Sequence, residues 1–370
     1  MIIRYLTQKD VVEHDKITAQ AFSYSCDIHA ADSVLPCEKM LGAFDDDNKT
    51  LFADFEIHER KCNYDGGILN CAAIGGVAAK PEHRGKGAVK ALFDFLFKEN
   101  AYDVSILYPF SEDYYRKLGY ERVGNSVCAT VPFSEVSGIA RNSDVKLYEG
   151  NETKRLLEIY NRCAQNYNLS FVREKADAFS DEPYASESYT YIWKNNAFAT
   201  IRIDREKGTV FVKELYFDSC ESMLGILGFL RNFESNQKWI CFEKIPEDSP
   251  VLYRLRDLKK CEIQMHNTGS ARILNAARIL LSRKYPPEDG EFTLRIGDEV
   301  YKVTYSQNGV ETKKNDAYDP DVIMDINTAS RVLLSGVTHA AYIPGLAIRN
   351  PQSDFFKSFP PKTSFFTDSL

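Results

Sequence analysis

The feature that most constrains this chain is a stretch in which an apolar run, a basic glycine-rich loop and a helical pattern follow one another. The run Ile68–Ala79 reads as a buried strand, and Pro81 stops further strand pairing. Arg84-Gly85-Lys86-Gly87 comes next, and apolar residues then recur at helical spacing to about Glu99. Such an arrangement binds a phosphate, because free N–H groups and the positive end of a helix dipole attract it, while glycines let the backbone come close. The stretch therefore predicts a phosphate site in a mixed α/β fold.

Two widespread phosphate-binding loops are excluded. No GxxxxGK[ST] sequence occurs, which excludes a P-loop. The dinucleotide fingerprint GxGxxG fails because Lys90 occupies its third glycine position. The site is therefore expected to belong to another class of fold.

The charge and cysteine content narrow the class of protein. The 370 residues carry 46 basic and 53 acidic side chains, a net charge of −7 and a pI near 5.6. This balance argues against a nucleic-acid partner and would suit cationic substrates. No run of about 18 apolar residues and no apolar signal-peptide core occurs, so we expect no membrane span and a cytoplasmic location. The nine cysteines are scattered and never spaced CxxC, which favours reduced thiols and predicts no metal site.

The order of predicted elements suggests three domains. Residues 1–150 alternate strands and helices and end at a turn-rich stretch. Residues 151–268 repeat this style loosely, but their second predicted helix follows Phe217-Asp218-Ser219-Cys220-Glu221, which is neither basic nor glycine-rich. Residues 269–370 begin with a predicted helix, Ala271–Arg283, continue as a strand meander and end in an irregular aromatic tail. Only the first domain is therefore expected to bind a phosphate.

Two motifs in the first domain resemble one enzyme family. Arg84-Gly85-Lys86-Gly87-Ala88, after the strand ending Val77-Ala78-Ala79, resembles the pyrophosphate-binding motif (Arg/Gln)-x-x-Gly-x-(Gly/Ala) of GCN5-related N-acetyltransferases. Val89 stands at the last position, where Gly or Ala is usual. Further along, Tyr114-Tyr115-Arg116-Lys117-Leu118-Gly119-Tyr120 resembles the family's Phe/Tyr-Tyr-x-x-x-Gly-Phe/Tyr signature. Both motifs in the expected order are harder to obtain by chance than either alone.

This resemblance implies an acetyl-CoA-dependent N-acetyltransferase that transfers the acetyl group directly to an amine, which would be an aminoglycoside, a polyamine, a peptide or a lysine. Tyr115 would protonate the departing CoA thiolate, and backbone N–H groups near Val77–Ala79 would bind the thioester carbonyl oxygen. The residues assigned to CoA binding are Val77, Ala78, Ala79, Arg84, Gly85, Lys86, Gly87, Ala88, Val89, Lys90 and Ser111.

The domain organisation resembles the enhanced-intracellular-survival (Eis) type of this family. It implies tandem acetyltransferase (GNAT) domains, the second degenerate, followed by a sterol-carrier-protein-like α+β domain. It also implies a homo-oligomer such as a hexamer, and a general base formed by the C-terminal carboxylate, here that of Leu370. The adjacent Phe365 and Phe366 suit a docked tail, because two neighbouring phenylalanines are seldom left in water.

Other interpretations remain open from the sequence. Tyr114 is an alternative acid beside Tyr115, and either ring would also suit the core. Loop 22–37, with Phe22, Tyr24 and Asp27, is a candidate wall of the acceptor pocket. A non-catalytic CoA- or lipid-binding regulatory protein that keeps the fold is the competing function, and the unusual Val89 leaves room for it.

Overall fold

The strand-forming runs of the chain assemble into two sheets. The computed structural model describes residues 1–26, 34–175, 179 and 183–368. The large sheet contains, in chain order, β1 (Ile2–Tyr5), β2 (Met40–Phe44), β3 (Leu51–Tyr64), β4 (Gly67–Ala79), β5 (Val104–Leu107), β6 (Glu121–Pro132), β7 (Val145–Leu147), β8 (Tyr189–Trp193), β9 (Ala197–Asp204), β10 (Thr209–Phe217), β11 (Trp239–Pro246) and β12 (Glu262–Ile273). The small sheet contains β13 (Gly290–Ile296), β14 (Glu299–Ser306), β15 (Gly309–Lys314), β16 (Val322–Met324) and β17 (Ala347–Ile348).

The helices of the described ranges are short and lie against these sheets. They are α1 (Val11–Phe22), α2 (Ala88–Leu96), α3 (Glu112–Arg116), α4 (Thr153–Ala164), α5 (Pro183–Ser186), α6 (Cys220–Leu230), α7 (Pro250–Arg254), α8 (Ala276–Ser282), α9 (Ile326–Ser335) and α10 (Phe355–Ser358). None of these helices has the length and apolar character needed to cross a bilayer. The mixed α/β architecture predicted from the sequence is thus confirmed.

The first half of the large sheet places the glycine-rich loop at the end of a central strand. The strand order is β1-β2-β3-β4-β5-β12-β6-β11-β10-β9-β8-β7. β3 and β4 form a long antiparallel pair, whereas β4 and β5 run parallel. A parallel pair needs a crossover connection, which the loop and α2 provide. The buried Leu92, Phe93 and Leu96 fix α2 on the sheet, against a core that includes Phe55 and Ile74.

The second half of the sheet repeats this arrangement without the loop. β9 and β10 pair antiparallel, and β10 and β11 run parallel with α6 between them. The first turn of α6 is capped by its own side chain, since Ser219 Oγ accepts a hydrogen bond from the Ser222 N–H at 3.1 Å. Asp218 also lies there and accepts from the Ser222 hydroxyl at 3.1 Å. A capped and acidic helix start is unsuited to a phosphate, in line with the sequence of this part, whose assignment as a degenerate acetyltransferase domain stays a prediction.

One predicted helix is wrong at its start. The run from Ala271 was expected to be helical, but Ser270–Ile273 pairs antiparallel with β5 as the end of β12, and the helix begins only at Ala276. In the sheet, β12 lies between β5 and β6 and pairs with both of them. This pairing along both of its edges outweighs the local helix propensity of residues 271–273. β12 runs across residues 268 and 269, where the sequence suggested a boundary, so the division into three domains stays a prediction.

The small sheet and the helices around it share a core with the first half of the large sheet. Its order is β15-β14-β13-β16-β17, and the predicted strand meander is present, with hairpin turns at Gly297 and Gly309. Apolar side chains of β4, β5, β13, β14 and α9 form one continuous buried cluster. The Tyr64 hydroxyl donates to the Leu333 carbonyl at 2.7 Å across this junction. Burial of this apolar area holds the C-terminal part against the first half.

The aromatic tail is docked as its phenylalanines suggested. Phe365 is only 3% exposed and Phe366 is fully buried. The Phe365 N–H donates to the Asn168 carbonyl at 3.0 Å, and Phe366 packs on Tyr108 and Phe171. The tail is irregular apart from α10, which the sequence did not predict. It therefore runs between the two halves of the large sheet.

Candidate active site

The two central parallel strands separate at the end that carries the glycine-rich loop. β4 and β5 are paired from Cys71 and Val104 to Ile74 and Leu107. β4 then continues to Ala79 with β3 alone as its partner. Alternate residues of a strand direct their N–H groups to opposite edges, so part of the backbone of residues 75–79 faces the resulting gap. This places Val77, Ala78 and Ala79 beside an opening between two strands.

A bulge in β4 shapes the wall of this gap. The three residues Asp54–Glu56 of β3 lie opposite the four residues Gly75–Ala78 of β4, and Gly76 has a φ of +58°. A Cβ on Gly76 would also come within 2.7 Å of Glu56 Oε1. Only glycine suits this position, because both the φ angle and the close carboxylate exclude a side chain. Glu56 therefore lies directly against the bulged strand.

The loop after β4 forms an open cradle. A short 3₁₀ helix spans Pro81–His83, and Gly85 and Gly87 have φ angles of +77° and +79°. An added Cβ on either glycine would meet no atom within 4 Å. The glycines are thus required for their backbone angles, and the space in front of them is free.

The start of α2 has unsatisfied backbone donors. Its N-cap is Gly87, which has no side chain, and the first helical hydrogen bond runs from the Ala91 N–H to the Gly87 carbonyl at 2.9 Å. In the part of the chain that the structure describes, the N–H groups of residues 85–90 have no acceptor. The positive end of the helix dipole adds to their attraction for an anion. At the start of α6, in contrast, Ser219 caps the Ser222 N–H and Asp218 adds a negative charge.

The basic side chains around this cradle differ in their partners. Arg84 is exposed and has no ion pair among the described residues. Lys86 Nζ lies 3.0 Å from His83 Nδ1 and 5.4 Å from the centre of the Phe52 ring. Lys90 is paired with Asp94. Arg84 and Lys86 are therefore the cations available to a phosphate, whereas Lys90 is engaged on the helix.

The apolar residues of the motif face the protein core. Ala88 is buried, and Val89 packs against the core beside α2. Val77 and Ala79 pack into the same core, and Ala78 packs on the opposite side of the sheet, in the cluster that includes Ile17 of α1. Val89 is partly buried against this core, and its effect on the binding of a phosphate in the cradle stays a prediction. The backbones of these residues remain the candidates for ligand contact.

Tyr115 is held with its ring in the core and its hydroxyl without a partner. It lies in α3, which Ser111 caps by accepting from the Tyr114 N–H at 3.3 Å. The Tyr115 side chain is 2% exposed and packs edge-on against Phe93 and Tyr120. No described residue hydrogen-bonds its hydroxyl. Burial raises the pKa of Tyr115 above its usual value, and the nearby Tyr114 adds a smaller effect in the same direction. The capping bond gives Ser111 a structural role, and its assignment to CoA binding stays a prediction.

A polar group on the α1 side of β3 was missed by sequence reasoning. His58 Nε2 lies 2.8 Å from Glu56 Oε2, and His14 Nδ1 of α1 lies 2.9 Å from the buried Asp54. Hydrogen bonds to Cys37 and to Glu56 raise the pKa of His58 to about 9. The available signal was the placing of polar residues at every second position of an otherwise apolar strand, which puts them on one face. These groups line the side of the sheet opposite α2.

The tail reaches the end of β5. Tyr108, the first residue after β5, donates from its hydroxyl to the Asp368 carbonyl at 2.8 Å. The Asp368 carboxylate accepts from Arg173 at 2.8 Å and from Tyr160 at 3.1 Å. Leu370, assigned as the base, lies outside the described residues, as does part of loop 22–37, including Asp27.

Across the described ranges, no three His, Cys, Asp or Glu side chains are grouped as metal ligands.

The cradle and Tyr115 lie within a region that matches a known domain family. Residues 2–123 match the family model of the acetyltransferase (GNAT) domain. The first third of the chain is therefore similar to the GNAT domain, a type of domain that uses acetyl-CoA. No curated protein sequence matches the chain.

Solved structures share the fold over the full length of the chain. A conserved protein of unknown function from Enterococcus faecalis V583, described as a probable N-acyltransferase, has a TM-score of 0.85 at 16% identity, covering 100% of this chain and 99% of that one. A GCN5-related N-acetyltransferase from Anabaena variabilis has a TM-score of 0.83 at 18% identity, covering 100% of both chains. Eis1 from Mycobacterium abscessus has the same TM-score, identity and coverage. The fold of the whole chain thus recurs in these proteins.

Proposed function

We propose that this chain transfers the acetyl group of acetyl-CoA directly to an amine within a ternary complex. The observation that carries the proposal is the convergence of the open cradle, the gap between β4 and β5, and the unpartnered Tyr115 hydroxyl within one GNAT domain. The cradle offers free N–H groups, Arg84 and Lys86 to the pyrophosphate of CoA. The gap offers backbone N–H groups of Val77–Ala79 to the thioester carbonyl oxygen.

The roles of the side chains follow from their protonation states. The acceptor must lose a proton, because an ammonium has no lone pair for attack on the thioester carbon. The departing thiolate, whose thiol titrates near pKa 8.5, must gain one. Tyr115 is suited to donate it, because its raised pKa keeps the hydroxyl protonated at neutral pH. Positioning of the amine against the thioester would supply most of the remaining acceleration.

The proton acceptor in this proposal is the C-terminal carboxylate of Leu370. The docking of Asp368 at the end of β5 supports it, because a chain segment of two residues can span up to roughly 7 Å. A terminal carboxylate has a pKa of roughly 3.5, so it would act after desolvation or through a bridging water. We extend the proposal to the Eis type, with a degenerate second GNAT domain, a sterol-carrier-protein-like third domain, a homo-oligomeric assembly and a cytoplasmic location.

A thiol-release assay with acetyl-CoA tests the proposal. The acceptor panel should include aminoglycosides, polyamines, amino acids, peptides and a lysine-containing peptide. We expect CoA release that depends on one of these amines, with an acetylated product of matching mass. Absence of turnover with every amine, together with tight binding of CoA or a lipid, would favour the regulatory alternative instead.

The cationic side of the cradle can be tested separately. The double variant Arg84→Ala/Lys86→Ala should raise KM for acetyl-CoA by about 10–100-fold and change kcat little, because hydrogen bonds to charged groups contribute mainly to binding here. Steady-state kinetics with acetyl-CoA as the varied substrate measures this. Lys98→Ala, which removes a charge just beyond the other end of α2, is the matched control. An unchanged KM in the double variant would remove both residues from the CoA site.

A further inference from the structure

A cavity of about 1000 Å³ lies where the first half of the large sheet, its second half and the tail meet. Arg60 of β3, Lys213 of β10 and Lys244 of β11 contribute to its wall, together with Asp368 of the tail. Lys244 Nζ donates to the Tyr108 hydroxyl at 3.2 Å, and Tyr108 directly follows the paired end of β5. Lys244, a residue of the cavity wall, therefore lies next to the residue beside which β4 and β5 separate. A ligand bound to Lys244 would lie close to this gap.

The carboxylates in the wall of this cavity are mostly neutralised within the protein. Four of the five have a cationic partner: Glu59 is paired with Lys39 at 2.7 Å, Glu174 with Lys61 at 2.8 Å, and both Glu214 and Asp368 with Arg173. Glu243 alone has no ion pair among the described residues. Because Glu214 and Asp368 share the single guanidinium of Arg173, one of their two charges and the charge of Glu243 remain unbalanced.

The cations of the same wall are mostly not neutralised. Arg60, Lys175, Lys213 and Lys244 line the cavity, and in the described ranges none of them has a carboxylate within ion-pair distance. Lys213 Nζ instead donates to Ser188 Oγ at 2.7 Å. Four cations without an ion pair thus face Glu243 and the one negative charge that Arg173 leaves unbalanced between Glu214 and Asp368, although the whole chain carries a net charge of −7. The cavity attracts anions in a protein that is acidic overall.

Lys244 is the most constrained of these cations. Its ammonium lies over the Tyr108 and Phe366 rings, 4.6 Å and 5.5 Å from their centres. Burial lowers the pKa of Lys244 to about 8, against the opposing effect of Asp368. A partly desolvated ammonium without a carboxylate partner is unfavourable in the unliganded protein. A ligand carboxylate would relieve this cost.

We infer that the acceptor is an amine that also carries a carboxylate, such as an amino acid or a short peptide with a free C-terminus, and that Lys244 binds that carboxylate. This inference rests on the proposed function, because it names the acceptor class of the same site. Lys244 fixes the anionic end of the acceptor in the cavity, and the amine at its other end lies toward the gap between β4 and β5. A polycation such as an aminoglycoside offers nothing to the four free cations of the wall and is excluded as the preferred acceptor.

A matched pair of acceptors tests the inference. Dipeptides are offered as the free carboxylate and as the C-terminal amide, which leaves the environment of the α-amino group nearly unchanged. Thiol release should show kcat/KM at least about tenfold higher for the carboxylate form, as expected for a hydrogen bond to a charged group. Lys244→Gln should abolish this preference by raising KM for the carboxylate form only, and Lys244→Arg should retain it. Lys238→Gln removes an exposed lysine outside the cavity wall and should leave the preference intact.

Calorimetric titration of the same dipeptides separates the inference from the proposed function. Carboxylate-dependent binding that Lys244→Gln removes supports the inference even without thiol release, in which case only the catalytic proposal fails. Equal binding and equal turnover of the acid and amide forms would overturn the inference while leaving the acetyltransferase intact. Preference for the amide, or for a polyamine, would overturn it as well. A thermal unfolding midpoint of Lys244→Gln at or above that of the wild-type protein verifies that the variant is folded.

Discussion

Replacement of Tyr115 by phenylalanine should lower kcat by roughly 10²–10⁴-fold, the usual contribution of a general acid. The ring is enclosed by aromatic side chains and its hydroxyl makes no hydrogen bond to a described residue. Phenylalanine therefore keeps the packing and leaves no buried polar group unpaired. The melting temperature and KM for acetyl-CoA should stay close to the wild-type values. Steady-state kinetics and thermal unfolding on the same preparation measure both.

The pH dependence of the wild-type enzyme provides a second readout of the same residue. An acid must be protonated to act, and burial raises the pKa of Tyr115 above the usual value of about 10. The alkaline loss of kcat due to this group should therefore begin only above about pH 10. Tyr114→Phe is the matched control, because Tyr114 is adjacent but 36% exposed. A Tyr115→Phe protein with wild-type kcat, beside an impaired Tyr114→Phe protein, would assign the acid to Tyr114.

The cradle could be predicted from sequence because everything that forms it is local. Arg84-Gly85-Lys86-Gly87 follows one strand and precedes one helix, and the positive φ angles of both glycines are what such a turn requires. The strand before the loop, predicted at Ile68–Ala79, begins and ends within a residue of β4, Gly67–Ala79. Tyr115 was likewise found by a motif inside one short segment. Local patterns of this kind need no knowledge of distant parts of the chain.

The missed and mistaken features depend on partners far along the chain. Ala271–Ile273 adopts a strand only because β5 and β6 leave a slot between them, which no local pattern encodes. The cavity brings Arg60, Lys213, Lys244 and Asp368 together from four separate segments, each of which reads alone as an ordinary solvated charge. The overall acidity of the chain suggested cationic substrates, yet the ion pairs decide which charges remain free in the cavity. That pairing becomes visible only in three dimensions.

Two carboxylates are candidates for the general base. The sequence resemblance indicates the C-terminal carboxylate of Leu370, whereas the structure places Glu56 beside the gap. Glu56 lies against the bulge at Gly76, beside the gap. It is paired with His58, whose pKa is raised to about 9, so one of its carboxylate oxygens already contacts a protonated imidazole. The family resemblance, in contrast, assigns the base to the chain terminus. The proposal therefore keeps the C-terminal carboxylate of Leu370 as the base.

Appending one glycine after Leu370 should therefore lower kcat by roughly 10²-fold or more, because it displaces the carboxylate by roughly 3.5 Å from its working position. Glu56→Gln should retain most of the activity. Leu370→Val, which changes the side chain but keeps the terminal carboxylate in place, is the matched control for the extension. All three proteins are compared by kcat at saturating acetyl-CoA and by KM for acetyl-CoA, which should not change. Full activity of the extended protein, together with a large loss of activity in Glu56→Gln, would contradict this prediction. Glu56, beside the β4 bulge, would then be the general base.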